Sequence, residues 1–193
     1  MRIVLYTYQT REAYQKLQKD GVLYLRKEDR PFTKVGKDDN KYLNHFERPY
    51  DFIIHSMKNK LPLPNNKDAY YPIWGWYKYE GRYKPSKFLD DIHKGLVRLK
   101  IEIASSRVLL SDFDYFSYLI SGGNLYINLS KDDEKKYEDK IFEEDEFYYP
   151  NYEYMFLIHR KKDDDYGFSY HKETIQGTFW ELYLEDVKEV VEV

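Results

Sequence analysis

Between Leu96 and Ile103 the chain reads LVRLKIEI, and from Val97 onward apolar and charged residues alternate. Val97, Leu99, Ile101 and Ile103 fall on one side, and Arg98, Lys100 and Glu102 on the other. Strand side chains alternate between faces, so this segment predicts a half-buried strand with one wet face. A wet face points to an antiparallel sheet, because parallel sheets are covered on both sides. Arg2 to Tyr8 predicts a second strand, with Ile3, Leu5 and Thr7 opposite Val4, Tyr6 and Tyr8. Tyr71 to Tyr79, Gly177 to Leu184 and Val187 to Val193 are strand-like, and Ser106 to Leu110 predicts a shorter strand.

Helices are marked by their ends as much as by their periodicity. Thr10 stands as an N-cap before EAYQKLQKD, where Ala13, Tyr14, Leu17 and Gln18 form the buried stripe and Gly21 follows as a left-handed stop. Tyr42, Leu43, Phe46, Tyr50, Ile53, Ile54 and Met57 keep helical spacing until LPLPNN, with Pro49 either kinking the helix or opening a second one. SKFLDDI predicts a helical turn. Ser111-Asp112-Phe113-Asp114 has capping-box chemistry ahead of YFSYLIS. Lys27 to Asn40 reads as a loop, residues 131–146 as a charged helical or mobile insertion, and Tyr152 to His159 as either strand or helix. Strands and helices mix without a βαβ rhythm. The predicted fold class is therefore α+β: a single compact domain over residues 1–193, with a curved, mainly antiparallel sheet and two to four helices.

Composition narrows the chemistry. The absence of cysteine excludes disulfides, thiolate metal sites and a cysteine nucleophile, and suits a reducing compartment. No signal peptide is predicted at the N-terminus, and no run approaches the ~18 apolar residues of a membrane span, so a cytoplasmic protein with no membrane partner is expected. A net charge of −3 disfavours indiscriminate nucleic-acid binding. The 22 tyrosines and 11 phenylalanines suit cores and recognition surfaces, although an AT-rich genome also raises tyrosine and lysine. There is no P-loop, GxGxxG, GxSxG or HExxH. His45, His55, His93, His159 and His171 lack metal-ligand spacing, so no metal site is expected.

Two aromatic segments carry the candidate chemistry. In PIWGW, Trp74 and Trp76 would share one strand face about 7 Å apart, with Ile73, Gly75 and Tyr77 on the other. Such a pair fills a core under a helix, its commoner use, or walls a site that stacks a base or sugar. In QGTFWE, Glu181 would share a face with Phe179 and Tyr183, where aromatic surroundings raise a carboxylate pKa for acid–base work. Gln176 beside it could orient a ligand amide or satisfy a turn. The SDFD acids fit helix capping better than a cation site.

Five ordered segments, LYTYQTREAYQKLQKDGVL, YDFIIHSM, YPIWGWYKYEG, VLLSDFDYFSYLI and IQGTFWELYLEDV, resemble the domain of unknown function 3841 family. The resemblance spans nearly the whole chain and implies a compact domain of bacterial or phage origin. It implies no activity. A weaker likeness, to bacterial ADP-ribosyltransferase toxins, would put Tyr6, Thr7 and Gln9 on the first strand, Trp74 to Tyr77 on the aromatic strand and Glu181 last as catalytic residue. It implies NAD as cofactor; the His-Gly-Thr or arginine signature of such enzymes is missing. No cofactor is expected otherwise.

The residues together lead to one expected function and two alternatives. The first is recognition of a nucleotide or nucleic-acid-like ligand in an aromatic-lined groove, with Thr7, Gln9, Trp74, Trp76, Tyr77 and Gln176 binding and Glu181 the candidate catalytic group. The second is a protein-interaction or inhibitor module in phage–host conflict, acting through the acidic insertion 131–146. The third is the ADP-ribosyltransferase-like enzyme.

Overall fold

The alternation at 97–103 becomes a strand in a computed structural model of the protein. The structure describes residues 1–29, 40–120, 152, 155, 156, 158 and 173–193, with residues 40–48 described as helical backbone only. Along this chain run β1 (Arg2–Gln9), α1 (Arg11–Asp20), β2 (Val22–Tyr24), α2 (Asn40–Lys60), β3 (Ile73–Lys78), α3 (Lys87–Ile92), β4 (Val97–Ala104), β5 (Leu109–Asp112), α4 (Phe113–Ile120), β6 (Ile175–Phe179), β7 (Glu181–Tyr183) and β8 (Val187–Glu192). Six strands form one open antiparallel sheet in the order β5-β6-β3-β1-β4-β8, and β2 pairs with β7 in a separate ribbon. The protein is α+β, as the alternation and mixed order predict.

The two faces of the sheet carry different cores. On one face, Leu5, Ile73, Leu99, Ile101, Ile103 and Phe179 pack with Leu17 of α1, Leu23 of β2 and Leu182 of β7. On the other, Phe52, Ile53 and Met57 of α2 pack with Phe116 and Leu119 of α4 and against Trp74. Gly75 of β3 and Gly177 of β6 are direct cross-strand partners. Leu5 lies under both. A Cβ on Gly177 would stand 2.7 Å from Val108 Cγ1 and 3.2 Å from Leu5 Cδ1; one on Gly75 would stand 3.2 Å from Leu5 Cβ.

The caps follow local chemistry. Thr10 Oγ1 accepts from Ala13 N at 3.1 Å, and Gly21, at φ 75°, donates its N–H to Leu17 O. Ser86 Oγ accepts from Leu89 N at 3.2 Å and opens α3. At α4 the cap is Asp112, not Ser111: Asp112 Oδ1 accepts from Asp114 N at 3.0 Å and Tyr115 N at 3.3 Å. Ser111 belongs to β5 and is fully buried, and its hydroxyl has no hydrogen-bond partner among the described residues.

Other expectations shift for identifiable reasons. Gly177 to Leu184 is not one strand. The chain changes sheets at Trp180, which joins the α2 cluster while Phe179 joins the opposite core. Residues 105–107 form a 3-10 turn, so the short strand begins at Leu109. Pro49 sits inside one continuous α2. Gln18 is exposed, leaving Leu17 with half-buried Ala13 and Tyr14 as the α1 stripe. The insertion 131–146 and residues 30–39 of the loop 27–40 lie outside the described residues, as do 153, 154, 157 and 159 of the segment 152–159, although Tyr152 and Met155 are buried against α2. Among the described residues, no helix is long and apolar enough to cross a membrane.

The turn into β8 is held by charge. Asp186, 1% exposed, accepts from Arg2 and from Arg107, each at 2.9 Å, and Arg107 also donates to the Glu181 carbonyl. Asp186→Ala strips two guanidiniums of their common acceptor and should lower stability by roughly 1–3 kcal/mol in urea unfolding. Gly177→Ala forces a methyl into the Val108–Leu5 contact and should cost about 1–3 kcal/mol, more than Gly75→Ala. A Gly177→Ala variant as stable as the parent would contradict this packing.

Candidate functional site

Antiparallel register assembles the site. Tyr6 pairs with Trp76, Trp76 with Gln176, and Gln176 with Ser111, across β1, β3, β6 and β5. Directly opposed residues point to the same face, so these four form one row across the sheet. Trp74, two residues back along β3, stands on the same face, as does Tyr8, two residues on along β1. The helices α2 and α4 pack over this face. Between them and the strands lies a cavity of about 250 Å³, lined by Tyr6, Trp74, Trp76 and Gln176 from below and by Tyr50, Phe113, Phe116 and Ile120 from above. Thr7, Tyr8, Gly75 and His93 complete its lining.

The aromatic walls brace one another. Trp74 tilts against Phe116 at 4.8 Å and meets Tyr50 edge-on at 5.6 Å. Trp76 makes edge contacts with Phe113 at 4.8 Å and Tyr79 at 5.1 Å. Both indoles nevertheless stay only partly buried. They act as core for the helices and as wall for the cavity at once, so the two readings of PIWGW are not exclusive.

The polar groups gather at two ends. Near β6, Gln176 is 4% exposed, and its Nε2 has no hydrogen-bond partner among the described residues. Ser111 Oγ, its cross-strand neighbour, is likewise unpartnered among them; a third such atom, Trp180 Nε1, belongs to the α2 cluster instead. Leaving a buried donor unpaired costs about 1–3 kcal/mol. At the other end, Tyr8 stacks on His93 with centroids 4.0 Å apart and planes 16° from parallel. Tyr8 Oη donates to Asp90 Oδ1 at 2.7 Å, and Arg98 pairs with the second oxygen of Asp90. Burial, then the bond to Asp90, pushes the Tyr8 phenol well above its ordinary pKa. Burial alone lifts Tyr50 to about 12. Both phenols therefore remain protonated at any working pH.

Of the residues singled out in the sequence, Thr7, Trp74, Trp76 and Gln176 line the cavity. Gln9 stands outside it and donates to Thr7 Oγ1 at 2.7 Å. Tyr77 points to the opposite face and meets Tyr83 edge-on at 5.4 Å. Glu181 lies in the small ribbon, away from the cavity lining. Its carboxylate accepts from Asn65 N at 3.0 Å, Asn66 N at 2.7 Å and Tyr183 Oη at 2.8 Å, and so fastens the loop before β3 to β7. The ADP-ribosyltransferase likeness needs this glutamate beside the tryptophans, and the fold separates them. Among the described residues, no group of three or more His, Asp or Glu is placed to hold a metal ion.

Several lining residues carry no local signal. Tyr6 and Tyr8 share a face by simple alternation, which the sequence does show, but nothing in the sequence says that face is a cavity floor. Tyr50, Phe113, Phe116 and Ile120 read as ordinary helix or helix-start residues. His93 reaches the site only through its tertiary stack on Tyr8.

A family model described as Domain of unknown function (DUF3841) matches residues 4–188. Among curated proteins and among solved structures, none matches the chain. The matched span takes in every one of the five segments quoted above, and with them the Tyr6–Trp76–Gln176–Ser111 row. The chain belongs to the domain of unknown function 3841 family.

Proposed function

We propose that the protein binds a nucleotide-class ligand by its heteroaromatic ring, in the cavity between the Trp74–Trp76 face of the sheet and α4. The observation that carries this reading is Gln176. Its amide N–H₂ is buried without an acceptor among the described residues, at a residue that lines an aromatic cavity; an unpaired buried donor is costly to the free protein and favours an occupant that brings an acceptor. Trp76 and Trp74 supply flat faces, and stacking a base on such a face contributes about 1–3 kcal/mol. A cavity of about 250 Å³ sits just below the range of ~300–1,000 Å³ typical of drug-sized ligands, which suits one ring system better than an extended chain. Ring nitrogens and carbonyls of nucleobases present the acceptors that Gln176 lacks.

Tryptophan fluorescence and thermal shift with nucleosides, nucleotides and NAD test the reading. Binding should quench fluorescence and raise the melting temperature. Trp76→Ala should weaken it by about tenfold or more. No response at millimolar concentration would contradict the proposal. Gln176→Met separates function from scaffolding. Removing the unpaired donor should stabilise the free protein by about 1 kcal/mol while weakening ligand binding. A structural glutamine would behave in the reverse way, with lost stability and unchanged binding.

A further inference from the structure

The cavity has a second polar end, and its chemistry complements that of Gln176. His93 is the C-cap residue of α3 and lines the cavity. Its Nδ1 lies 2.7 Å from the carbonyl oxygen of Leu89. A carbonyl only accepts, so Nδ1 carries a proton, and this tautomer puts the ring's lone pair on Nε2. The ring is also held flat by its stack on Tyr8. Tyr8 in turn is anchored through Asp90, which Arg98 grips from β4. Asp90 belongs to the same short helix that His93 caps, so helix, tyrosine and imidazole form one braced unit. Such support from neighbouring groups sets a recognition group before any ligand arrives.

The two ends lie apart across the sheet. Gln176 sits on β6, while Tyr8, under His93, sits on β1, with β3 between them. Adjacent strands are about 4.8 Å apart, so the ends are separated by roughly two strand spacings. One end holds Gln176, whose Nε2 donor has no partner among the described residues, and the other holds His93, whose bond to Leu89 leaves Nε2 as its acceptor, with aromatic faces between. We infer that His93 is a specificity-determining residue, and that the ring bound in this cavity carries an N–H on the edge facing His93 and an acceptor on the edge facing Gln176. The inference rests on the ring-binding reading above and narrows it to lactam-type heterocycles. Rings that offer only a lone pair to His93 are rejected, because two acceptors then face each other in a desolvated site.

Inosine is the probe, since its base has a single N–H, at N1, and carries acceptors elsewhere. Its 1-methyl derivative lacks that N–H, and purine riboside offers a lone pair at N1 with no exocyclic N–H beside it. Affinities of the three are measured by tryptophan quenching on the parent protein and on His93→Phe, which keeps an aromatic ring on Tyr8. Inosine should bind about tenfold more tightly than 1-methylinosine, and His93→Phe should erase that difference by weakening inosine alone. Equal binding of inosine and 1-methylinosine, an equal effect of His93→Phe on both, or a preference for purine riboside would overturn the role of His93 while leaving ring binding intact. No quenching by any nucleoside would overturn both readings. If His93→Phe fails to give a cooperative melt, the inosine comparison on the parent protein decides alone.

Discussion

Leu5 packs under two facing glycines, and the site depends on that contact. Gly75 and Gly177 meet across β3 and β6, and neither has room for a Cβ without moving Leu5 or Val108. A register slip of one residue would carry every side chain of a strand to the other face. It would press Trp74 or Trp76, or Gln176, onto Leu5 at the positions the glycines now hold. The glycine pair thus penalises the wrong registers and leaves one in which Tyr6, Trp76, Gln176 and Ser111 share a row. The cavity on one face is a consequence of close packing on the other.

That arrangement explains why the same residues serve packing and recognition. The helices α2 and α4 rest on Trp74 through Tyr50 and Phe116, so the aromatic wall is rigid. Rigid walls bind flat rings without an ordering cost. The polar groups are few and differently supported. Gln176 Nε2 has no partner among the described residues, whereas His93 is fixed by Leu89 and Tyr8. Glu181 shows the opposite case. It is buried and acidic, yet three donors satisfy it, and its role is to tie a loop to the β2–β7 ribbon. Burial of a polar side chain is therefore informative only when its partners are counted.

Much of the fold was legible because local rules and tertiary structure agree. The 97–103 alternation, the Thr10 cap and the Gly21 stop all act within a few residues, and the structure keeps each of them. The faces of Trp74 and Trp76 followed from alternation alone. What failed did so where a distant partner decides. Trp180 breaks an apparently continuous strand because its indole belongs with α2, a contact invisible in QGTFWE. Asp112 replaces Ser111 as cap because its Oδ1 is the atom that reaches the Asp114 and Tyr115 N–H groups, while the Ser111 hydroxyl is buried in β5. His93 could not be found, since only the pairing of β1 with β4 and the placing of α3 bring it to Tyr8.

The most direct measurement is a high-resolution crystal structure of the protein with inosine bound. It should show the base against Trp76, with an acceptor atom about 3 Å from Gln176 Nε2. A Gln176 amide bonded to Ser111 Oγ, with the ring lying elsewhere on the surface, would contradict it.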